Sequence, residues 1–258
     1  MSVWRRRAIR WPCVVAMGAS LLWGLTTAKA TTRQGVNFEV STLEIPLALK
    51  AMDFLNRHAH YRRLAREITR GSHSDQERVL AVFQWTRRHI PPTPKELPVI
   101  DDHVWHIIIR GHGLSDQMAD VFTTLSTYAG VPAFWKFVSV APGGSIVTLS
   151  FAKVEGRWVA FDVAEGVVFA DAQGRLIDVE TLAADQALVK AVAGDRAPGG
   201  VPYWEYVRPL RPFTPPDVLR AEQQMPWPRA AFELRRLLRT SKRNAAIDAQ
   251  LKSLGAVP

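Results

Sequence analysis

An α+β fold, with helices first and an antiparallel sheet after them, is what the sequence predicts, and three observations predict it. Residues 46–129 carry apolar positions at helical spacing, interrupted by a proline-rich connector. Residues 133–177 switch to short β-branched and aromatic runs separated by glycine turns. Those turns are too short for parallel crossovers, so neighbouring strands must run antiparallel. The composition agrees: 258 residues, 47% hydrophobic and 22% charged, exclude a disordered, collagen-like or multi-span membrane chain.

The first thirty residues stand apart. A basic stretch with Arg5, Arg6, Arg7 and Arg10 precedes an apolar run from Val14 to Leu25, and Ala28-Lys29-Ala30 closes it. This is the pattern of a secretory signal peptide cleaved after Ala30, or of an uncleaved anchor using residues 12–28 at the inner membrane. Both readings place the body outside the cytoplasm, in the periplasm or held at its inner face. The segment also distorts the overall charge of +9. Without its five bases the chain has 28 bases against 24 acids, so no nucleic-acid partner is expected. The single cysteine, Cys13, lies in this segment, which leaves the body no disulfide, thiolate ligand or cysteine nucleophile.

The elements follow in order. After a polar stretch at 31–44, residues 46–70 form a helix whose apolar face is Leu47, Leu49, Met52, Phe54, Leu55, Leu64 and Ile68, with Arg57, Arg62, Arg63, Arg66 and Arg70 opposite. Ser74 and Glu77 make a capping box for a second helix, which Pro91, Pro92 and Pro94 end. A third helix starts near Ser115 and stops at Gly130, with Pro132 beyond. Strands are expected over 133–140, 146–154 and 157–161, turning at Pro142-Gly143-Gly144 and at Glu155-Gly156. A further hairpin covers 167–170 and 176–177, and one helix covers 178–193. Beyond a glycine-rich joint, residues 201–228 hold seven prolines with Tyr203, Trp204, Tyr206, Phe213 and Trp227, more aromatics than a linker needs, so the stretch reads as an arm packed on a surface. A basic helix at 230–254 ends the chain. The predicted organisation is thus a leader at 1–30, a domain at 31–195, and the arm and last helix at 196–258.

The run Gly113-Leu114-Ser115-Asp116-Gln117-Met118-Ala119-Asp120-Val121-Phe122, followed by Gly130-Val131-Pro132-Ala133, resembles the core of the transglutaminase-like superfamily. Glu155-Gly156-Arg157-Trp158-Val159-Ala160-Phe161-Asp162 is similar to that family's later hairpin, and the resemblance spans about residues 80–165. It implies a papain-like α+β fold and a cysteine, histidine and aspartate acting together. It places Ser115 at the cysteine position, Val147 at the histidine position and Asp162 at the aspartate position. The pattern is therefore degenerate. All seven histidines precede residue 113, so no shift of register puts one on the hairpin.

A serine hydroxyl is a weak nucleophile unless a base takes its proton, and here valine stands where the base belongs. The expectation is a catalytically inactive domain, exported and acting as a binding or scaffolding module in envelope or exopolysaccharide assembly, with an envelope protein or a peptide or glycan as partner and no cofactor. Ser115 would then be a helix N-cap and Asp162 a strand-end residue bonded to backbone or to Arg157. His112, Ser115, Asp116, Gln117, Trp158 and Asp162 are candidates for lining the old cleft. The alternative is a hydrolase in which His112 is the base for Ser115, or in which His103, His106 and His112 hold a metal ion.

Overall fold

The computed structural model describes residues 18, 23–24, 26–101, 103–140, 144–236 and 238. Most of the 1–30 segment with Cys13, Pro142 and Gly143 of the expected turn, and most of the expected last helix lie outside the described residues. Among the described residues no helix is long and apolar enough to cross a membrane.

Strands β1 (Lys29–Val36) and β2 (Glu39–Pro46) form a hairpin where a polar stretch was expected. Its turn is made by Asn37 and Phe38, both with left-handed φ, 49° and 69°. Asn37 fixes it by donating its N–H to the carbonyl of Val99 at 2.7 Å and accepting from the Val99 N–H at 2.9 Å through Oδ1. Helix α1 (Leu47–Ile68) follows, with the expected length and a different buried face. Arg57, Tyr61 and Ala65, one turn apart, are its buried positions, whereas Leu47, Leu49, Met52 and Leu55 are exposed. The amino-terminal half of α1 extends beyond the core, so apolar residues there find nothing to cover them. Arg57 is admitted to the interior because Asp53, one turn earlier, pairs with it at 3.1 Å.

Helix α2 (Asp75–His89) is capped as its sequence requires, with Ser74 Oγ accepting from the Glu77 N–H at 3.1 Å. Glu77 reaches back one residue further than a standard box, accepting from the N–H of His73 at 2.6 Å. The connector then forms β3 (Ile100–Asp101), which pairs with β1 in a small sheet of order β2-β1-β3. Helix α3 (Val104–Arg110) follows, with His103 as its N-cap residue.

Helix α4 (Ser115–Tyr128) is the axis of the molecule, buried from Gln117 to Thr127 and packed against α1, α2, α3 and the main sheet. Its buried threonines are tolerated because Thr123 and Thr127 return their hydroxyls to carbonyls one turn back, each at 2.8 Å. It ends in a Schellman arrangement, with the Val131 N–H bonded to the Ser126 carbonyl and Gly130 at φ 89°.

The main sheet is antiparallel, order β4 (Ala133–Ser139), β5 (Ile146–Val154), β6 (Arg157–Asp162), β7 (Val167–Val168). Glu155 and Gly156, at φ 50° and 84°, make the two-residue β5–β6 turn read from the sequence. The expected helix over 178–193 is two helices, α5 (Val179–Leu182) and α6 (Gln186–Ala193), because Asp178 and Asp185 each cap a new start, at 3.0 Å to Thr181 and Leu188.

Side chains alternate along the strands into two cores. One face of the sheet, with Ala152, Val154, Val159 and Phe161, packs on α4 and the other early helices. The opposite face, with Val147, Leu149, Phe151 and Ala160, packs on α5, α6 and helix α7 (Tyr203–Val207) of the arm. Tyr203, Tyr206, Val207, Leu210 and Leu219 are all buried there.

The arm thus supplies much of one core. Truncation after Gly200 is expected to expose that face and give a protein that aggregates or loses its near-ultraviolet circular dichroism. Tyr206→Ala in the full chain should cost about 3–5 kcal/mol in denaturant unfolding.

Candidate functional site

Two short motifs build the site: the start of α4 and the β5–β6 hairpin. Ser115 is the first residue of α4, and the N-cap position is Leu114. The expectation that Ser115 caps the helix is corrected by one residue. The cap is instead closed by Gln117, whose Oε1 accepts from the Leu114 N–H at 3.1 Å while its Nε2 donates to the Ile100 carbonyl at 2.6 Å. Gln117 is buried in this role, so it braces the loop and does not line a cleft.

The hydroxyl of Ser115 meets that of Thr148, Oγ to Oγ1, at 3.1 Å. Val147, expected at that place, is one residue off. Strand alternation sends Val147 to the other face of the sheet, where it is buried with Leu149 and Phe151. A threonine hydroxyl is far too weak a base to take a proton from serine. The nearest imidazole in sequence, His112, is engaged elsewhere, with Nδ1 and Thr93 Oγ1 at 3.2 Å. Its ring is pushed below the usual histidine range by desolvation and by Arg110.

Asp162 ends β6 on the same face as Val147, away from Ser115. Its Oδ1 accepts from the Glu165 N–H at 3.0 Å, and its Oδ2 accepts from the phenol of Tyr203 at 2.9 Å. The expected partner Arg157 is replaced by this tyrosine from the arm. Burial lifts the Asp162 carboxyl above the ordinary range, against the lowering by those two donors, and burial and the carboxylate together push the Tyr203 phenol up. Trp158 lies on the same face, edge-on to Phe134 at 5.2 Å between ring centres. The structure therefore separates the six cleft candidates. His112, Ser115, Asp116 and Gln117 lie at the start of α4; Trp158 and Asp162 lie across the sheet under the arm.

A second buried carboxylate also holds the arm. Asp120 of α4 accepts from Trp135 Nε1 at 2.5 Å and pairs with Arg220 at 2.9 Å. Tyr128 donates its hydroxyl to the Gln224 carbonyl at 2.7 Å. Of these partners, Tyr203 was visible in sequence only as one aromatic among five; its bond to Asp162 spans 41 residues and leaves no local signal.

His103 and His106 stand at the start of α3 with ring centres 5.9 Å apart. Among the described residues, no three His, Cys, Asp or Glu side chains are placed to hold a metal ion. His103 is instead a partly buried neutral ring, pushed down to about 4 by desolvation and then by Arg57.

Tyr203→Phe leaves one oxygen of Asp162 without its donor, and the expected cost is about 1–2 kcal/mol near neutral pH. That cost should shrink in acid, because a protonated carboxyl relies less on the phenol. His103 makes a separate pH prediction. Its folded-state value lies below the unfolded value of 6.5, so the unfolded chain binds the proton better and stability falls with acid across the window from 6.5 down to about 4. His103→Gln should flatten the unfolding free energy over that window, by on the order of 1–2 kcal/mol after screening.

Residues 62–163 match the family model of the transglutaminase-like superfamily. Three solved structures are similar over part of the chain. One is a proposed cysteine protease from Cytophaga hutchinsonii, 16% identical over 46% of this chain and 40% of that one, with a TM-score of 0.36. Another is a proposed protease from Parabacteroides distasonis, 13% identical over 48% and 28%, with a TM-score of 0.33. The third is a TGase, 10% identical over 54% and 44%, with a TM-score of 0.31. The chain spans less than half the length of each. No curated protein matches it. That match runs from within α1 to the end of β6, so it takes in both the early helices and the antiparallel sheet.

Proposed function

We propose that this chain is an exported transglutaminase-like protein that carries out no acyl-transfer chemistry and serves as a binding or scaffolding module, with an envelope protein or a peptide or glycan as its partner. One observation carries the reading: the retained carboxylate, Asp162, is bonded to Tyr203 of the arm, on the face of the sheet opposite Ser115, whose own neighbour is a second hydroxyl. A nucleophile in this fold needs a base beside it and an acid to orient that base. Here the base is replaced by threonine and the orienting acid holds down a structural segment. Export follows from the basic, apolar and small-residue order of the first thirty residues, and a role in envelope or exopolysaccharide assembly follows from export.

The test is an assay of the purified full chain for amide hydrolysis, thiol-protease activity and protein crosslinking. The expected rates are those of buffer alone, unchanged by Ser115→Ala. A rate above buffer that Ser115→Ala abolishes overturns the proposal in favour of a serine hydrolase.

A further inference from the structure

The arm that covers Asp162 also closes a cavity on its outer side. Between α6 and α7 lies a pocket of about 270 Å³, near the small end of ligand sites, which run roughly 300–1,000 Å³. Its walls come from one face of α6, the 194–197 loop and the start of α7. The loop is held in shape rather than draped. Gly194 ends α6 at φ 65°, and Tyr206 donates its hydroxyl to the Pro198 carbonyl at 2.9 Å. Gly199, at φ 61°, lies so close to Ser145 that a Cβ there would fall 1.9 Å from its hydroxyl oxygen. The segment following the loop therefore runs tightly against the residue that precedes β5.

The chemistry of the walls is specific. Lys190 and Arg196 bring two cations whose side chains have no carboxylate partner among the described residues. Val189, Ala193 and Pro202 supply an apolar floor beside the half-buried Trp204. Gln186 and Asp195 add groups able to bond hydroxyls. An anion attracts the cations, a flat apolar face suits the indole, and hydroxyls suit the amide and carboxylate. A carboxylated sugar ring carries all three.

We propose that this cavity binds a carboxylated sugar ring, with the carboxylate at Lys190 and Arg196, the ring face on Trp204 and the hydroxyls at Gln186 and Asp195. The site is distinct from the Ser115 region. Its back wall is Tyr203, the residue that bonds Asp162. The inference names a ligand class for the binding role proposed above and fails separately from it, because inertness is decided at Ser115 and this site by binding.

Saturation-transfer NMR on the full chain tests it, with galacturonate as the probe and galactose and benzoate as comparisons. Transfer to galacturonate is expected to exceed transfer to either comparison. Lys190→Ala and Arg196→Ala should each weaken galacturonate binding by roughly tenfold, the loss of one charge-assisted hydrogen bond. Both residues are exposed, so the variants should keep the parent circular dichroism and melting temperature. Gly199→Ala, which disturbs the segment following the loop, should also weaken binding. No transfer to galacturonate overturns the proposal. So does equal transfer to galactose, which removes the anion requirement, or to benzoate, which removes the sugar. Binding that survives both cation variants overturns it as well.

Discussion

A carboxylate taken out of water needs donors on its oxygens, and without them it loses its charge or its burial. Two such carboxylates, Asp162 at the end of β6 and Asp120 on α4, meet this requirement with side chains of the carboxy-terminal arm, Tyr203 and Arg220. The arm is thus tied at two points, one on each side of the main sheet. Between them, Tyr206, Val207, Leu210 and Leu219 fill the second core. Burial of these side chains supplies the driving force, and the two carboxylates fix where along the surface the arm lies. Hydrophobic contact is not directional, whereas a hydrogen bond to a carboxylate is.

This arrangement changes what the triad positions mean. In a nucleophilic site the acid orients a base, the base faces the nucleophile, and all three share one cleft. Here β5 alternation divides them. Thr148 points to Ser115, and Val147 points away with Asp162. Restoring histidine at 147 would place an imidazole beneath the arm, on the face with Asp162 and Tyr203. Restoring it at 148 would place one beside Ser115 with no acid behind it. An imidazole at either position would therefore reach only one of the two groups, Asp162 from 147 or Ser115 from 148.

Much of the fold was legible because its signals are local. Ser74 with Glu77, Gly130 before Pro132, and Glu155-Gly156 each fix backbone geometry within four residues, and each behaves as its chemistry dictates. The face of α1 was not legible. Counting apolar residues pointed to Leu49, Met52 and Leu55, while burial falls on Arg57, which is acceptable only because Asp53 neutralises it from one turn away. The β1–β2 hairpin was missed for a different reason. Its turn uses Phe38 in a left-handed conformation that aromatic residues rarely adopt, sustained by Asn37 bonding to Val99 from outside the hairpin. At the candidate site, the start of α4 and the hairpin were visible as motifs. Their relation was not, because whether 147 or 148 faces the helix depends on which side of the sheet the arm covers.

Tyr203 is the residue that joins these parts. Its ring belongs to the second core and packs edge-on to Phe169 at 5.5 Å, its hydroxyl holds Asp162, and its outer surface is a wall of the α6–α7 cavity. A ligand filling that cavity would press on the element that secures the buried carboxylate, and the carboxylate in turn limits how far α7 can shift to admit a ligand. Arg196, on the cavity rim, lies close enough to Tyr203 to act on its phenol electrostatically. An anion held by Arg196 would offset that influence. Asp162 in this way anchors the inner side of a wall whose outer side lines the cavity.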